Sequence, residues 1–439
     1  MKLQISSVVL GLPNQSLEDA HGLNVPQSDK GDNIFIPPVD FSLIEIIKTF
    51  LSCQIPHITL GHLQGVVNEN QTDPSHETPL SYSLGAGLTC DVYRHQLTAA
   101  QCKSLEDKSW KPGVSVALRR LKLDPTIDRA SYHKFTRRAA RMLRQELLVW
   151  SHPLLKHHVN INGVIFIGWE NSLLPVLASE LAHFGTLEDF WTSALGNTKG
   201  SSITTWERLR AMVDIGQGLQ ALHACGLSHG DVKPQNVLAY RDSQWGVSFK
   251  LTDFSGAKPD QPADGDYTFE NIATPPWMAP EVLSNSKIQT WSACDVYSYG
   301  LLIVTLWNPA CVHFDRPSGA RLECFLSLYH SDIPDKDHGF LWMKKLEDSC
   351  EESALSRALG MDIWCLSQEI AQKTLRRDPT ERDTMLKIME SLALEFGLGD
   401  WCTQIPLYVE TRRLGSSFTD TLSRGRNLSH LLWVTKDAP

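Results

Sequence analysis

A short stretch near the middle of the chain contains residue types that could transfer a phosphoryl group. Residues 229–236 read HGDVKPQN, and residues 253–255, seventeen positions after Asn236, read DFS. Phosphoryl transfer from ATP requires a carboxylate to orient the accepting hydroxyl, a cation beside the transferring phosphate and oxygen ligands for Mg²⁺. The residues that could supply these groups are Asp231, Lys233, Asn236 and Asp253. Either half alone is more typical of an ordinary polar turn.

The flanking segments predict how these side chains come together. Residues 206–224 carry apolar residues at three-to-four spacing, which predicts a helix. Residues 237–240 and 249–252 are short segments typical of strands, and the polar turn 241–246 joins them into a predicted hairpin. A tight loop after the helix can hold Asp231 and its neighbours close together, and the hairpin can return Asp253 to their side.

The segments before this region predict strands and one long helix. Two strands, 81–84 and 92–95, flank a turn that contains glycine, and a third follows at 114–121. Residues 131–150 place apolar residues on one helical face, and Glu146 lies on that same face. Further helices are predicted at 41–53, 293–307 and 361–374. A small strand-rich part with one helix is therefore followed by a larger helical part.

Composition and charge exclude several classes of function. The 439 residues have a formal charge of −9, which argues against a nucleic-acid binder and a polybasic membrane-surface protein. The apolar run 301–307 is far short of the roughly 20 residues that a spanning helix needs, so no membrane span is expected. Ten cysteines without a C-x-x-C pair indicate a reducing, intracellular and cytoplasmic location. The cysteines and histidines show no metal-ligand spacing, and the sequence does not reveal an oligomeric state.

From residue 79 to about 393 the chain resembles the eukaryotic protein kinase family. The family's H-R-D-x-K-x-x-N loop and D-F-G motif correspond to residues 229–236 and 253–255. Further segments match in the family's order: the Gly-rich loop at 85–92, the V-A-I-K strand at 116–119, Glu146 on the helix, A-P-E at 279–281, the buried helix from Asp295, and Arg382, which in the family pairs with the A-P-E glutamate. Together these ordered motifs are far more specific than a lone G-x-G pattern.

The resemblance implies an α+β, two-lobed protein-kinase-like fold, with a small β-rich N-lobe carrying one key helix and a larger, mainly α-helical C-lobe. The expected N-lobe is 79–178, the hinge 179–183 and the C-lobe 184–393. Residues 1–78 would form a partly ordered extension and residues 394–439 a tail.

The resemblance also implies ATP and Mg²⁺ as cofactors and assigns residues to them. Asp231 would position the substrate hydroxyl, Lys233 would neutralise the γ-phosphate, and Asn236 and Asp253 would hold the metal. The residues expected around the nucleotide are Gly85 and Gly87 in the Gly-rich loop, Val92 and Ala117 above the adenine, Leu238 below it, Glu180 and Ala182 at the hinge, and the pair Arg119 and Glu146 at the phosphates.

Three departures from the family's pattern bear on activity. Arg119 replaces the strand lysine, and a planar guanidinium does not reproduce the compact ammonium. Ser255 stands for the last glycine of D-F-G, and Cys90 for the third glycine of the loop. Gly230 replaces the arginine that in many kinases binds a phosphate on the activation segment, so phosphorylation there lacks its usual cationic partner.

Two functions follow as hypotheses. The first is ATP-dependent phosphoryl transfer to serine or threonine of protein substrates, because Lys233 and Thr274 resemble the serine/threonine class. The alternative is a catalytically impaired pseudokinase that acts as a nucleotide-binding or scaffolding module for a protein partner. A kinase for small molecules is disfavoured by the A-P-E motif at 279–281.

Overall fold

The computed structural model describes the middle of the chain in most detail. The described residues are 55–60, 82–86, 90–105, 109–121, 129–169, 175–196, 203–260, 274, 277–284, 288, 290–307 and 363–395. The helix predicted at 41–53 and the loop glycine Gly87 lie outside these residues. The described residues divide into two compact units: those up to residue 141 together with 164–181 form the first unit, and 142–163 together with those from residue 182 onward form the second.

A six-stranded sheet forms the centre of the first unit. Its strands are β1 (His57–Thr59), β2 (Tyr82–Ala86), β3 (Cys90–Gln96), β4 (Ser115–Leu121), β5 (Val164–Trp169) and β6 (Pro175–Glu180), in the order β1-β5-β6-β4-β3-β2. The three strands predicted at 81–84, 92–95 and 114–121 are confirmed as β2, β3 and β4. Strand β1, which comes from the segment before residue 79, pairs in parallel with β5 at one edge, whereas the other pairs are antiparallel.

The two faces of this sheet differ in burial. Val116 and Leu118 are fully buried on one face, where Phe166 and Ala178 also pack. Alternate residues of a strand point to opposite faces, so Ala117 and Arg119 lie on the other face, which is only partly buried at these positions. The first unit therefore places its hydrophobic core on one side of β4 and the candidate nucleotide-binding positions on the other.

Two helices follow strands of the first unit in the chain. Helix α1 (Ala99–Ser104) starts with a capping box in which Thr98 accepts from the Gln101 N–H and the Gln101 side chain accepts from the Thr98 N–H. Helix α2 (Arg129–Trp150) includes the helix predicted at 131–150. Glu146 is 1% exposed and Trp150 is buried, which confirms that Glu146 lies on the apolar face.

The second unit is mainly helical. Its helices are α3 (Leu187–Gly196), α4 (Thr205–Ala224), α5 (Pro280–Leu283), α6 (Trp291–Trp307), α7 (Ile363–Thr374) and α8 (Met385–Glu395). Its strands are β7 (Leu227–Ser228), β8 (Val237–Asp242), β9 (Gly246–Leu251) and β10 (Lys258–Pro259), paired as β8-β9 and β10-β7. The predicted α+β, two-lobed fold is confirmed, as are the helix before the HGDVKPQN loop and the hairpin after it.

Helix α4 packs closely against strand β9. A Cβ atom on Gly218 would lie 2.8 Å from the Leu251 side chain and 3.0 Å from the Asn160 carbonyl oxygen, so a side chain here would displace these neighbours. Nearby, the fully buried Asp214 accepts from Arg210 Nε at 2.9 Å and from the Phe249 N–H at 2.8 Å. Burial raises the pKa of Asp214 to about 6 even though Arg210 opposes the shift. These contacts fix the hairpin against the helix that precedes the candidate site.

Within the described ranges, none of the helices is both long and apolar enough to cross a membrane. The same residues contain no group of three or more His, Cys, Asp or Glu side chains that could hold a metal ion.

Candidate active site

The loop between β7 and β8 brings both predicted catalytic residues, Asp231 and Lys233, into contact with the predicted metal ligand Asn236. The Lys233 Nζ atom lies 2.6 Å from Asp231 Oδ2. The Asn236 side chain donates to the same carboxylate oxygen at 3.0 Å and to the Asp231 carbonyl oxygen at 2.8 Å. A 3₁₀ turn at Pro234–Asn236 shortens the loop enough for Asn236 to reach back. The loop therefore holds its carboxylate, cation and amide as one hydrogen-bonded group.

Thr274 adds a hydroxyl to this group from a distant part of the chain. It accepts from Lys233 Nζ at 2.7 Å and donates to Asp231 Oδ1 at 2.9 Å. Both oxygens of the Asp231 carboxylate are thus engaged by donors that fix its orientation. A hydroxyl can do this because it both donates and accepts, which a methyl group in the same place cannot.

The carboxylate of Asp295, on helix α6, anchors the start of the loop. Its oxygens accept from the His229 N–H at 2.7 Å and from the Gly230 N–H at 2.9 Å. The same carboxylate lies 2.9 Å from His223 Nε2 at the end of helix α4. Asp295 is 1% exposed, and hydrogen bonds to a charged acceptor in such a site are strong. Helix α6 therefore determines where the loop begins.

Gly230 occupies a backbone position that excludes a side chain. Its φ is +79°, and a Cβ atom there would lie 2.3 Å from the Gly256 carbonyl oxygen. A Cβ atom on Gly256 would in turn lie 3.1 Å from the His229 carbonyl oxygen. The expectation that Gly230 merely lacks an arginine is therefore incomplete. The backbones at residues 230 and 256 approach so closely that glycine is required at the first of these positions in this chain.

Asp253 lies in a strained conformation directly after the hairpin. Its φ of 59° and ψ of 72° are left-handed, and it is the one non-glycine residue with positive φ in the described part of the chain. Its Oδ1 atom accepts from the Ser255 N–H at 3.4 Å as the 3₁₀ turn Phe254–Gly256 begins. Strain of this kind persists where surrounding contacts fix the backbone, and such residues cluster at functional sites.

The aromatic ring of Phe254 packs on the loop residue His229, with ring centroids 5.3 Å apart. His229 Nε2 is also 3.0 Å from the Thr252 carbonyl oxygen, and its Nδ1 accepts from the Asp231 N–H at 3.3 Å. The residues on both sides of Asp253 thus contact the loop that contains Asp231. This arrangement agrees with the sequence-based expectation that the hairpin returns Asp253 to the loop.

In the first unit, the structure places several predicted nucleotide-binding residues on one face of the sheet. Val92 is directly opposite Arg119 in the β3-β4 pair, and Gly85 is opposite Val92 in the β2-β3 pair. Cross-strand partners share a face, as do alternate residues of β4. Val92, Ala117 and Arg119 therefore lie together on the face away from the hydrophobic core.

The remaining predicted residues lie on separate elements. Glu180 is the last residue of β6, and Ala182 belongs to the second unit, two positions later. Leu238 is on β8, opposite Lys250 and bridged to Thr186. Glu146 is buried on α2, in the part of that helix that belongs to the second unit. Their predicted roles toward a nucleotide stay predictions.

A buried ion pair forms near helix α5 in the second unit. Arg382 Nη1 and Nη2 lie 2.6 and 2.7 Å from the two carboxylate oxygens of Glu281. The same guanidinium donates to the Ala293 carbonyl oxygen at 2.8 Å. The predicted pairing of the A-P-E glutamate with Arg382 is confirmed. It ties the segment that follows Thr274 to the turn before helix α8.

Three residues that contact the site were not singled out from the sequence. They are His223, which reaches Asp295, and the pair Asn162 and Thr252, which are hydrogen-bonded to each other at 3.1 Å. Thr252 could have been suspected because it directly precedes Asp253. Nothing in the local sequence around Asn162 indicates its partners, because they are 90 and 78 residues away.

Comparisons with known proteins agree with this geometry. The family described as "Protein kinase domain" matches residues 136–392. The chain is 25% identical over 327 residues to a G-type lectin S-receptor-like serine/threonine-protein kinase of Arabidopsis thaliana, covering 72% of this chain and 36% of that protein. It is 26% identical over 251 residues to a receptor-like protein kinase of the same plant, covering 55% and 26%. With the serine/threonine-protein kinase TOS3 of Saccharomyces cerevisiae the identity is 29% over 198 residues, covering 42% and 31%.

The chain spans about a third or less of the length of these curated relatives. The family match, in contrast, covers more than half of this chain and includes the HGDVKPQN loop, the DFS segment and the Glu281–Arg382 pair. On that match, and on the ordered motifs and contacts described above, the chain belongs to the protein kinase family.

Proposed function

We propose that this protein transfers the γ-phosphoryl group of ATP to serine or threonine hydroxyls of protein substrates. The observation that carries the proposal is the contact of Asp231, Lys233 and Thr274, with each pair of side chains 2.6 to 2.9 Å apart. Phosphoryl transfer depends mainly on positioning and on stabilising charge, so a preorganised carboxylate and cation are the groups that matter. The names of the relatives support the serine/threonine class.

The residues of the loop divide the chemistry between them. Asp231 accepts a hydrogen bond from the substrate hydroxyl and receives its proton as the oxygen attacks phosphorus. Lys233 stabilises the negative charge on the transferred group. The Thr274 hydroxyl holds the Asp231 carboxylate and the Lys233 ammonium in fixed positions relative to each other. Asn236 donates its amide N–H to Oδ2 of the same carboxylate, the oxygen that Lys233 also contacts, and so helps to fix its orientation.

The donor set also fits Mg²⁺. Asn236 uses its amide nitrogen toward Asp231, which leaves its amide oxygen as a ligand, and Asp253 contributes a carboxylate. Mg²⁺ prefers oxygen ligands and is usually held by one or two protein groups together with substrate phosphates. When bound, the metal would offset negative charge on the nucleotide phosphates. Asn236 and Asp253 are the residues that would hold it.

One observation favours the alternative function of a pseudokinase scaffold. Arg119, on the half-buried face of β4, replaces the compact ammonium with a wider, planar group. If Arg119 positions the α- and β-phosphates poorly, nucleotide binding survives while transfer slows. The protein would then present a nucleotide-dependent surface to a protein partner.

We also propose an intracellular location on the basis of cysteine usage.

A phosphotransfer assay with four chains separates the two functions. Wild type should transfer labelled phosphate to serine and threonine residues of a generic protein substrate, Arg119→Lys should raise the rate, and Asp231→Asn should lower it by at least about 10³-fold. Asp383→Asn, which changes a half-buried carboxylate that lies 3.6 Å from Lys387 on another segment, is the matched control and should leave the rate unchanged.

The result that would refute catalysis is equal inactivity of wild type, Arg119→Lys and Asp231→Asn. If ATP with Mg²⁺ still raised the melting temperature of those proteins, the scaffold function would be supported. Phosphate found on tyrosine alone would contradict the proposed substrate class.

A further inference from the structure

A short segment after helix α2 runs beside strand β9 like an additional strand. The Asn160 carbonyl oxygen accepts from the Leu251 N–H at 2.8 Å, and the Asn162 N–H donates to the Leu251 carbonyl oxygen at 2.8 Å. Ile161 and Leu251 form a parallel bridge between these two bonds. The segment is therefore attached to the last residue of β9, two positions before Asp253.

The Asn162 side chain and backbone use all their polar groups in this buried place. Its Nδ2 donates to Thr252 Oγ1 at 3.1 Å, and its Oδ1 accepts from the Tyr240 hydroxyl at 3.2 Å. Its carbonyl oxygen accepts from Trp150 Nε1, at the end of helix α2, at 3.3 Å. Asn162 is 7% exposed. A carboxamide is needed because the side chain must donate on one side and accept on the other.

Thr252 also contacts residues of the candidate active site. Its N–H donates to the Asn236 carbonyl oxygen at 3.0 Å, and its carbonyl oxygen lies 3.0 Å from His229 Nε2. The next residue is Asp253, which is held in a left-handed conformation. A shift of Thr252 would therefore move both residues proposed to bind Mg²⁺, Asn236 and Asp253.

We propose that Asn162 is a positioning residue that acts through the Thr252 hydroxyl to hold Asn236 and Asp253 in the geometry that binds Mg²⁺ with ATP. The inference rests on the proposed function and extends it by naming the residue that orients the metal-binding pair. Groups that orient metal ligands typically change metal affinity or activity 10- to 100-fold when they are removed. Asn162 acts one residue further away, so a smaller effect is expected.

The test measures the Mg²⁺ dependence of ATP binding by the full chain, using calorimetry rather than activity. Asn162→Leu removes the carboxamide at similar volume, and Thr252→Val removes the hydroxyl at similar volume. Each should weaken the apparent Mg²⁺ affinity about 5-fold. Thr252→Ser keeps the hydroxyl and should restore wild-type behaviour. The double variant should show the same fold-change as either single variant, because both remove one interaction.

Tyr240→Phe is the matched control. It removes the other hydrogen bond of the Asn162 carboxamide but leaves the bond to Thr252 in place. A merely structural role of Asn162 would make this control weaken Mg²⁺ affinity as much as Asn162→Leu does. The proposal instead expects a lower melting temperature and an unchanged Mg²⁺ dependence. If Asn162→Leu does not fold, the comparison of Thr252→Val with Thr252→Ser decides the question.

Several outcomes would overturn the inference. Equal Mg²⁺ dependence in wild type and Thr252→Val, or additive effects in the double variant, would show that Asn162 does not act through Thr252. A wild type that binds no ATP with Mg²⁺ at all would instead refute the proposed function. In that case a double-mutant cycle would still show whether Asn162 and Thr252 are coupled. It compares the free energy of unfolding of wild type, Asn162→Leu, Thr252→Val and the double variant.

Discussion

A Cβ atom on Gly230 would lie 2.3 Å from the carbonyl oxygen of Gly256, so the backbone of the HGDVKPQN loop lies against the backbone of the segment after Asp253. Contacts this close do not occur between a real Cβ and a carbonyl oxygen without a shift of the backbone. Gly230, which stands where the family has arginine, thus lies against Gly256, the residue after Ser255. Together they bring the Asp231 loop and the Asp253 turn into direct contact.

Gly230→Ala is expected to lower the free energy of unfolding more than the same substitution at Gly226, a glycine of similar φ with open space around its Cβ position. The first variant suffers left-handed strain and a collision with Gly256, together about 3 kcal/mol. Gly226 has φ +71° with no atom within 4 Å of its Cβ position, so Gly226→Ala should cost about 1 kcal/mol. Urea unfolding of the two variants measures the difference. Equal losses in the free energy of unfolding would contradict the close approach of residues 230 and 256.

Gly230→Arg should not create a more active enzyme, although it restores the residue type common in the family. The arginine Cβ meets the same Gly256 carbonyl oxygen, so the loop must move and Asp231 with it. We expect transfer at least about 10-fold slower than in wild type. A rate above wild type in the phosphotransfer assay would show that the position tolerates a side chain.

Thr274→Val should slow phosphoryl transfer with little effect on stability. The variant removes the hydroxyl that bridges Lys233 and Asp231, and misplaced catalytic groups typically cost about 10²-fold in rate. Thr274→Ser keeps the hydroxyl and should recover most of the rate. The measurement is kcat with saturating ATP, alongside thermal unfolding. Serine and valine variants of equal activity would rule out the bridging role.

Breaking the buried Glu281–Arg382 ion pair should strongly lower the free energy of unfolding. Arg382→Met leaves a carboxylate without its partner in a site where the two side chains are 0% and 7% exposed, so a loss of about 3 to 5 kcal/mol is expected. Arg382→Met combined with Glu281→Leu should recover part of that loss, because no charge stays buried.

The matched control for this pair is Lys387→Ala. Lys387 is 66% exposed and lies 3.6 Å from Asp383, and exposed pairs of this kind contribute at most about 0.5 kcal/mol. Chemical denaturation of all four chains gives the comparison. A cost at Arg382 no larger than the cost at Lys387 would show that the ion pair does not stabilise this unit.

Acid should destabilise the second unit through His158. Burial lowers the pKa of His158 from 6.5 to about 4, and its Nδ1 atom accepts from the Asn160 N–H. Between these values the unfolded chain binds a proton that the folded chain does not. The contribution of neutral His158 to the free energy of unfolding is therefore complete above pH 6.5 and is lost as the pH falls toward 4. Relative to His158→Gln, wild type should lose about 3 kcal/mol over that range.

Urea unfolding of both proteins from about pH 7 down to pH 4 tests this, with the difference between them plotted against pH. Asp214, whose raised pKa gives the opposite slope, is present in both chains and cancels in the difference. Parallel pH profiles would show that His158 binds its proton equally well in the folded and unfolded chains.

Local sequence predicted the elements whose patterns are regular and long. Helix α4 and the β8-β9 hairpin follow from apolar periodicity and a polar turn, and both are present. Strands β5 and β6 were not predicted, because short apolar runs such as 164–169 do not alternate and resemble buried helix segments as much as strands. Strand β1 has three residues, and its partner β5 begins more than a hundred residues later, so no local pattern could indicate the pair.

The sequence by itself determined which groups are available for chemistry, because Asp231, Lys233 and Asn236 lie within six residues and a single tight loop suffices to bring them together. Tertiary structure alone decided what holds that loop in place. Thr274 reaches Asp231 across 43 residues, and Asn162 reaches Thr252 across 90. A hydrogen bond depends on distances of about 3 Å and on direction, and between residues so far apart in the chain only the packed helices and strands determine both.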